Sequence, residues 1–358
     1  MKPQVHSLTE LIQLRDKVHD NFDGYDLSEV DFSTQKGQEI LQAILYSSST
    51  IFPEKIHSKM MDQLEKGKNL GLNLQAMHNA HYNGTNIKIA IIDQNTDVSH
   101  PALKGHVKDI NFSSNNDSIF FHGLAVDSIA ARVAPEADII HLGIGAAHND
   151  ELADKALEYI LDYNKKQKDE SNKIRFVSCS WGKGELSIRR AKLFEELETN
   201  GTMVIGGCWG THEALGKKKR LSSSLTRDLS KSPNDVRSYQ ECAIHEKLRT
   251  NCVAVLRNNF TFASKNRGYI FDPIGGASWT YPYLAGVGAC ALQANPDFVV
   301  QKGWQDKLWQ LMLETGVPVS EEPNANRIIQ PAKLCEQMHE MYLANHKSYT
   351  RKNGKGSR

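Results

Sequence analysis

From Asn86 onward the chain alternates short apolar runs with longer helical segments, and this rhythm limits the folds open to it more than any other property. Apolar strands are expected at residues 87–92, 137–142, 174–179 and 202–207. Helices are expected between them, at 123–132, 151–165 and 188–199. Strands separated by helices cannot pair as tight hairpins. Each returns through a crossover, which builds an α/β fold: a mostly parallel sheet with helices on both faces. A weaker β region follows at 253–270, then a helix starting at Ser278 and helices at 304–314 and 332–344.

Residues 1–80 read as a separate, mainly helical N-terminal region. Apolar residues recur at helical spacing over 8–18, and a second helix is expected over 39–46. Gly67 and Gly71 break a further pattern into helices at 56–65 and 72–81. The alternating core spans 81–320 and is followed by a C-terminal helix within 321–345. The basic, glycine-containing tail at 346–358 is expected to be disordered.

Three short motifs carry chemistry. Ile89–Ala90–Ile91–Ile92–Asp93 ends an apolar strand on an acid. His122–Gly123–Leu124–Ala125–Val126 opens a helix on a histidine. Gly275–Gly276–Ala277–Ser278 places a serine after a small-residue turn and in front of an apolar helical run. A serine there is exposed, and the positive end of a helix points at whatever it attacks. Acid, histidine and serine are the parts of a nucleophilic triad. Of its three unrelated chain orders, acid first and serine last, with a short first interval and a long second one, is that of subtilisin.

On these motifs the chain resembles the subtilisin-like serine proteases over about residues 70–320. Asp97–Val98–Ser99–His100–Pro101 after Asp93, Ala134–Pro135–Glu136–Ala137 after His122, and Pro282 with Ala285–Gly286 after Ser278 extend the likeness. The resemblance implies a subtilisin-like three-layer fold and a serine endopeptidase acting on a protein or peptide. Ser278 would attack the peptide carbonyl, His122 would carry the proton, and Asp93 would orient His122. Ser180, Trp181 and Gly182 would lie along the substrate strand, and Gly206 and Gly207 would floor the first pocket. In such a cleft an extended peptide adds as a strand.

The chain departs from the family at two places. Where the family has an oxyanion-binding asparagine, the stretch Ile205–His212 has Trp209 and no asparagine. Losing such a donor costs about 10²–10³ in kcat. The Ser278 backbone N–H remains as one donor, and Trp209, Thr211 or His212 are candidates for the second. Ala102 stands after Pro101 where many relatives have an acidic calcium ligand. Asp97 and Asp109 read as turn and surface residues, so no metal or other cofactor is expected. The segment 216–224 reads as a polar, basic loop.

Composition narrows the remaining classes. Lys and Arg total 43 against 42 Asp and Glu, so nothing favours nucleic acid or an anionic membrane surface. No apolar run reaches the roughly 18 residues of a membrane span, and the first residues contain no apolar signal core. The six cysteines show no zinc-type spacing. These features lead to the expectation of a cytoplasmic protein, and the resemblance implies that it is a regulated endopeptidase. Its N-terminal region would be a permanent accessory segment that caps the core or binds a regulatory protein partner, or, as the resemblance also implies, a pro-like segment that is removed. The alternatives are a catalytically impaired fold serving as a protein-binding module and an acyl-transfer enzyme such as a peptide ligase.

Overall fold

Five parallel strands form the main sheet, in the order β3-β4-β2-β5-β6. They are β2 (Lys88–Asp93), β3 (Val107–Asn111), β4 (Asp138–Gly143), β5 (Ile174–Cys179) and β6 (Met203–Gly206). The computed structural model describes residues 2–113, 121–145, 149–180, 187–206, 220, 222–242, 250–264 and 268–353, with side chains to 346.

Alternation along β2 assigns its residues to two cores. Ile89 and Ile91 pack with α5 (Phe121–Val133) and α8 (Thr280–Ala294). Ala90 and Ile92 pack with α6 (Asp150–Lys166) and α7 (Ile188–Thr199). The outer helices α6 and α7 are amphipathic. Helices α5 and α8 are apolar over most of their circumference, because each lies between the sheet and further structure. The fold is therefore α/β, with a mostly parallel sheet covered on both faces. The expected strands and helices of this core lie within about two residues of those observed. In the main sheet the unforeseen strand is β3, an edge strand whose three polar residues are exposed and whose two apolar ones are half-buried.

A second sheet has the order β12-β13-β9-β7-β8, with its inner pairs parallel. Its strands are β7 (Ser222–Arg227), β8 (Tyr239–Glu241), β9 (Val253–Leu256), β12 (Val317–Pro318) and β13 (Arg327–Ile328). Of the segment 216–224, expected to be a basic loop, residues 216–219 and 221 lie outside the described residues, and the reading of the rest needs correction. Ser222–Ser224 belong to β7, and Arg220 is buried, pairing with Glu198 (2.8 Å) and Asp306 (3.0 Å). The charge is drawn inward because two carboxylates neutralise it.

The N-terminal region forms α1 (Leu8–Val18), α2 (Gln35–Leu41), α3 (Glu54–Gly67) and α4 (Leu74–Asn79). The helix expected over 39–46 is displaced toward the N-terminus, where Thr34 caps it by accepting from the Gly37 N–H. Tyr46 instead lies in β1 (Tyr46–Ser47). This strand pairs antiparallel with β11 (Tyr269–Asp272), which also pairs with β10 (Phe260–Ala263). Phe271 of β11 enters the N-terminal core beside Val5, Leu11, Phe22, Tyr46 and Phe52. Helices α9 (Trp304–Thr315) and α10 (Pro331–Asn353) close the chain. Helix α10 runs past 344 into the segment read as a disordered tail, and residues 354–358 lie outside the described ones.

Candidate active site

Strand order turns about β2, with β4 on one side and β5 on the other. The carboxyl ends of strands at such a point are where open α/β sheets place their ligands. Asp93 is the last residue of β2 and is buried. His122 stands in the first turn of α5, its side chain 18% exposed. The two meet at 2.6 Å between His122 Nδ1 and Asp93 Oδ1. The same carboxylate oxygen accepts the Gln94 N–H at 2.8 Å. Asp93 Oδ2 is buried without a partner among the described residues.

Burial alone would push the His122 pKa down. The charge of Asp93 and its hydrogen bond outweigh that effect and hold it above the ordinary histidine value. Gly123, next in α5, is needed for this approach. A Cβ there would lie 1.9 Å from the Gln94 carbonyl oxygen.

Ser278 lies in a 3₁₀ turn, Ala277–Trp279, that leads directly into α8. The turn before it depends on Gly275, whose φ is +71° and where a Cβ would sit 1.8 Å from the Arg257 carbonyl oxygen. Pro282 follows in the first turn of α8, where no backbone donor is lost. Ser278 is half-buried. Its hydroxyl donates to the Ser180 carbonyl at 3.3 Å, while the Ser180 hydroxyl donates to the Ser278 carbonyl at 2.8 Å. Among the described residues no hydrogen bond joins Ser278 to His122.

Trp279 connects the two. Its ring lies 5.0 Å from the His122 ring, at an interplanar angle of 34°. Its indole N–H donates to Asp272 Oδ2 at 3.0 Å. Asp272 is itself buried, and its other oxygen accepts the Ile274 and Gly275 N–H groups. Burial raises the Asp272 pKa, against the pull of these three donors. The acid thus ties the serine turn and the ring packed on His122 into one unit. Neither Asp272 nor the packing role of Trp279 was foreseen. The available signal was an acid a few residues before the glycine turn, with a donor-bearing aromatic directly after the serine.

The other expected site residues divide in two. Ser180 lies just beyond β5, and its side chain turns toward the Ser278 backbone. Gly206 ends β6, where a Cβ would lie 3.1 Å from Cys179 Cβ. Trp181, Gly182, Gly207, Trp209, Thr211 and His212 lie outside the described residues. Asp97 accepts the Ser99 N–H and hydroxyl, which is a local turn. Among the described residues, no group of three or more His, Cys, Asp and Glu side chains is arranged to hold a metal ion. No helix among them is long and apolar enough to cross a membrane.

No protein-family model matches the sequence, and no curated protein matches it. Solved structures do share its fold. One is the prenylagaramide maturation protease PagA, at 15% identity and a TM-score of 0.50, covering 74% of this chain and 98% of that one. Another is a chain from the structure of subtilase cytotoxin SubAB assembly, at 13% identity and a TM-score of 0.56, covering 78% and 97%. At such identities the likeness speaks to architecture alone, and on it the chain has a subtilisin-like fold.

Proposed function

We propose that this protein is a serine endopeptidase, with Ser278 as nucleophile, His122 as general base and then acid, and Asp93 as the residue that orients His122. The observation that carries the reading is the 2.6 Å contact between His122 and the buried Asp93, at a strand end beside the serine turn. That contact holds a proton on Nδ1 and leaves Nε2 to accept one. Attack by Ser278 Oγ on a peptide carbonyl would pass its proton to Nε2. The resulting imidazolium would lie against the Asp93 carboxylate and the Trp279 ring, both of which favour a cation. Collapse of the tetrahedral intermediate would return the proton to the leaving amine, and water would then release the acyl group.

The Ser278 N–H, at the start of a helix, is suited to one side of the oxyanion. Trp209 and Thr211 are our candidates for the other. The substrate would be an extended stretch of protein or peptide laid beside the strand that ends at Ser180. In this reading the enzyme works in the cytoplasm, under control of a protein partner, and requires no cofactor.

One observation favours a second reading, a binding module with impaired chemistry. The Ser278 hydroxyl is engaged by the Ser180 carbonyl and not by His122. A serine-directed fluorophosphonate separates the two. Labelling of the wild type that disappears in Ser278→Ala supports the protease. An unlabelled wild type, under conditions that label an active subtilase, sinks it.

A further inference from the structure

A second aspartate–histidine pair lies behind the first. His141 is on β4, on the strand face that turns toward α5, where its neighbour Ile139 joins the apolar core. Asp127 is on α5, five residues after His122. Both are fully buried. His141 Nδ1 lies 2.9 Å from Asp127 Oδ1, and His141 Nε2 lies 2.9 Å from the carbonyl oxygen of Gln94. Asp127 Oδ2 has no partner among the described residues.

The protons follow from these partners. A carbonyl oxygen only accepts, so Nε2 carries a hydrogen and donates it to Gln94. The contact at Nδ1 then joins a carboxylate to a ring that already has one proton. A buried carboxylate with no other donor is most stable beside a cation. Among the described residues, the charged groups acting on His141 are acids: Asp127 from α5, Asp109 opposite it on β3, and Asp93 at the end of β2. Burial works against the imidazolium, and these three carboxylates together outweigh it.

Gln94 is the residue directly after Asp93. Its carbonyl is gripped by His141 on one side and lies against Gly123 of α5 on the other. Its N–H is bonded to the Asp93 carboxylate. The residue that follows Asp93 is therefore held at both its N–H and its carbonyl.

We propose that His141, as an imidazolium paired with Asp127, is a positioning residue for Asp93: its Nε2–H fixes the Gln94 carbonyl and so the carboxylate that orients His122. Helix α5 is joined to the sheet twice, by His122 reaching β2 and by Asp127 receiving β4. The first link faces the cleft, and the second sets its geometry from behind. This inference rests on the triad reading of Asp93 and His122.

The test uses the full-length protein and reads the histidine rings by ¹⁵N-edited NMR, which needs no turnover. In the wild type both His141 ring nitrogens are expected to carry protons near pH 6.5, the ordinary histidine midpoint, as a raised value requires. A His141 ring with one proton there overturns the proposal. His141→Leu, which removes the donor to the Gln94 carbonyl, is expected to lower the His122 titration midpoint by about one pH unit, with folding checked by circular dichroism. A folded His141→Leu with an unchanged or raised His122 midpoint overturns the proposal, since loss of the His141 charge alone would raise it. Asp127→Asn is expected to remove one His141 proton yet leave the His122 midpoint in place, because Nε2 still holds Gln94. An equal fall in both variants would mean that the effect does not run through the Nε2–H and would overturn the positioning role. If His141→Leu does not fold, the wild-type spectrum and Asp127→Asn still decide. Failure of fluorophosphonate labelling would overturn the serine chemistry and leave these measurements unaffected.

Discussion

Ser180 and Ser278 hold each other by exchanged hydrogen bonds: each hydroxyl donates to the other's backbone carbonyl, at 2.8 Å from Ser180 and 3.3 Å from Ser278. The end of β5 and the serine turn are thereby joined without involving His122. Under the proposed chemistry this is the resting position of the Ser278 hydroxyl. A change of rotamer at Ser278 releases the longer bond and keeps the shorter one.

Ser180→Ala removes only the shorter bond, since the carbonyl that accepts from Ser278 belongs to the backbone. The expected cost is about 1 kcal/mol of stability, measured by urea unfolding. Fluorophosphonate labelling should persist within about tenfold of wild type, because one such bond corresponds to roughly that factor. Loss of labelling in a folded Ser180→Ala would show that the hydroxyl does more than anchor the turn.

Labelling should rise with pH as His122 becomes able to accept a proton. Its midpoint should lie above the unperturbed histidine value of about 6.5, since Asp93 more than offsets burial. Asp93→Asn leaves burial to dominate, so the midpoint falls, and the labelling rate drops by about 10⁴ through loss of the correct tautomer. Stability follows the same sign. A raised folded value makes the His122 contribution complete below about pH 6.5 and lost as pH climbs through the folded midpoint. A labelling profile with its midpoint below 6.5 would contradict the ion-pair geometry.

Trp279→Phe removes the side-chain donor to Asp272 Oδ2 while keeping an aromatic ring against His122. Urea unfolding should show a loss of about 1–3 kcal/mol from the poorly satisfied buried carboxylate. Asp272 already has a raised value, and losing a donor raises it further. The folded state then prefers the protonated acid, so the loss should be smaller near pH 4 and larger near pH 8. Equal losses at both would mean that Asp272 does not bear the charge.

Much of the sheet could be read from the chain because apolar strands such as Ile174–Cys179 are bounded sharply by polar turns. The placement of Asp93, His122 and Ser278 was legible for a related reason: each lies at the end or the start of an element, so local pattern and position coincide. What escaped was long-range. His141 lies within an apolar strand and reads as a strand residue until α5 brings Asp127 to it. Tyr46 reads as the end of a helix until β11 offers it a backbone partner. Arg220 reads as part of a basic run until Glu198 and Asp306 enclose it. In each case the deciding contact is with an element far away in sequence, which no local window contains.

The pairing of β1 with β11 bears on how such a protein could mature. Tyr46–Ser47 seals one side of the β10–β11 pair, and Phe271 fills the core of the N-terminal helices. Cutting the chain after this region would not by itself set the piece free. Departure would uncover a strand edge and a large aromatic together, and both favour clumping with other copies. A nicked molecule should therefore travel as two chains in one particle, separating only when something else takes the place of β1.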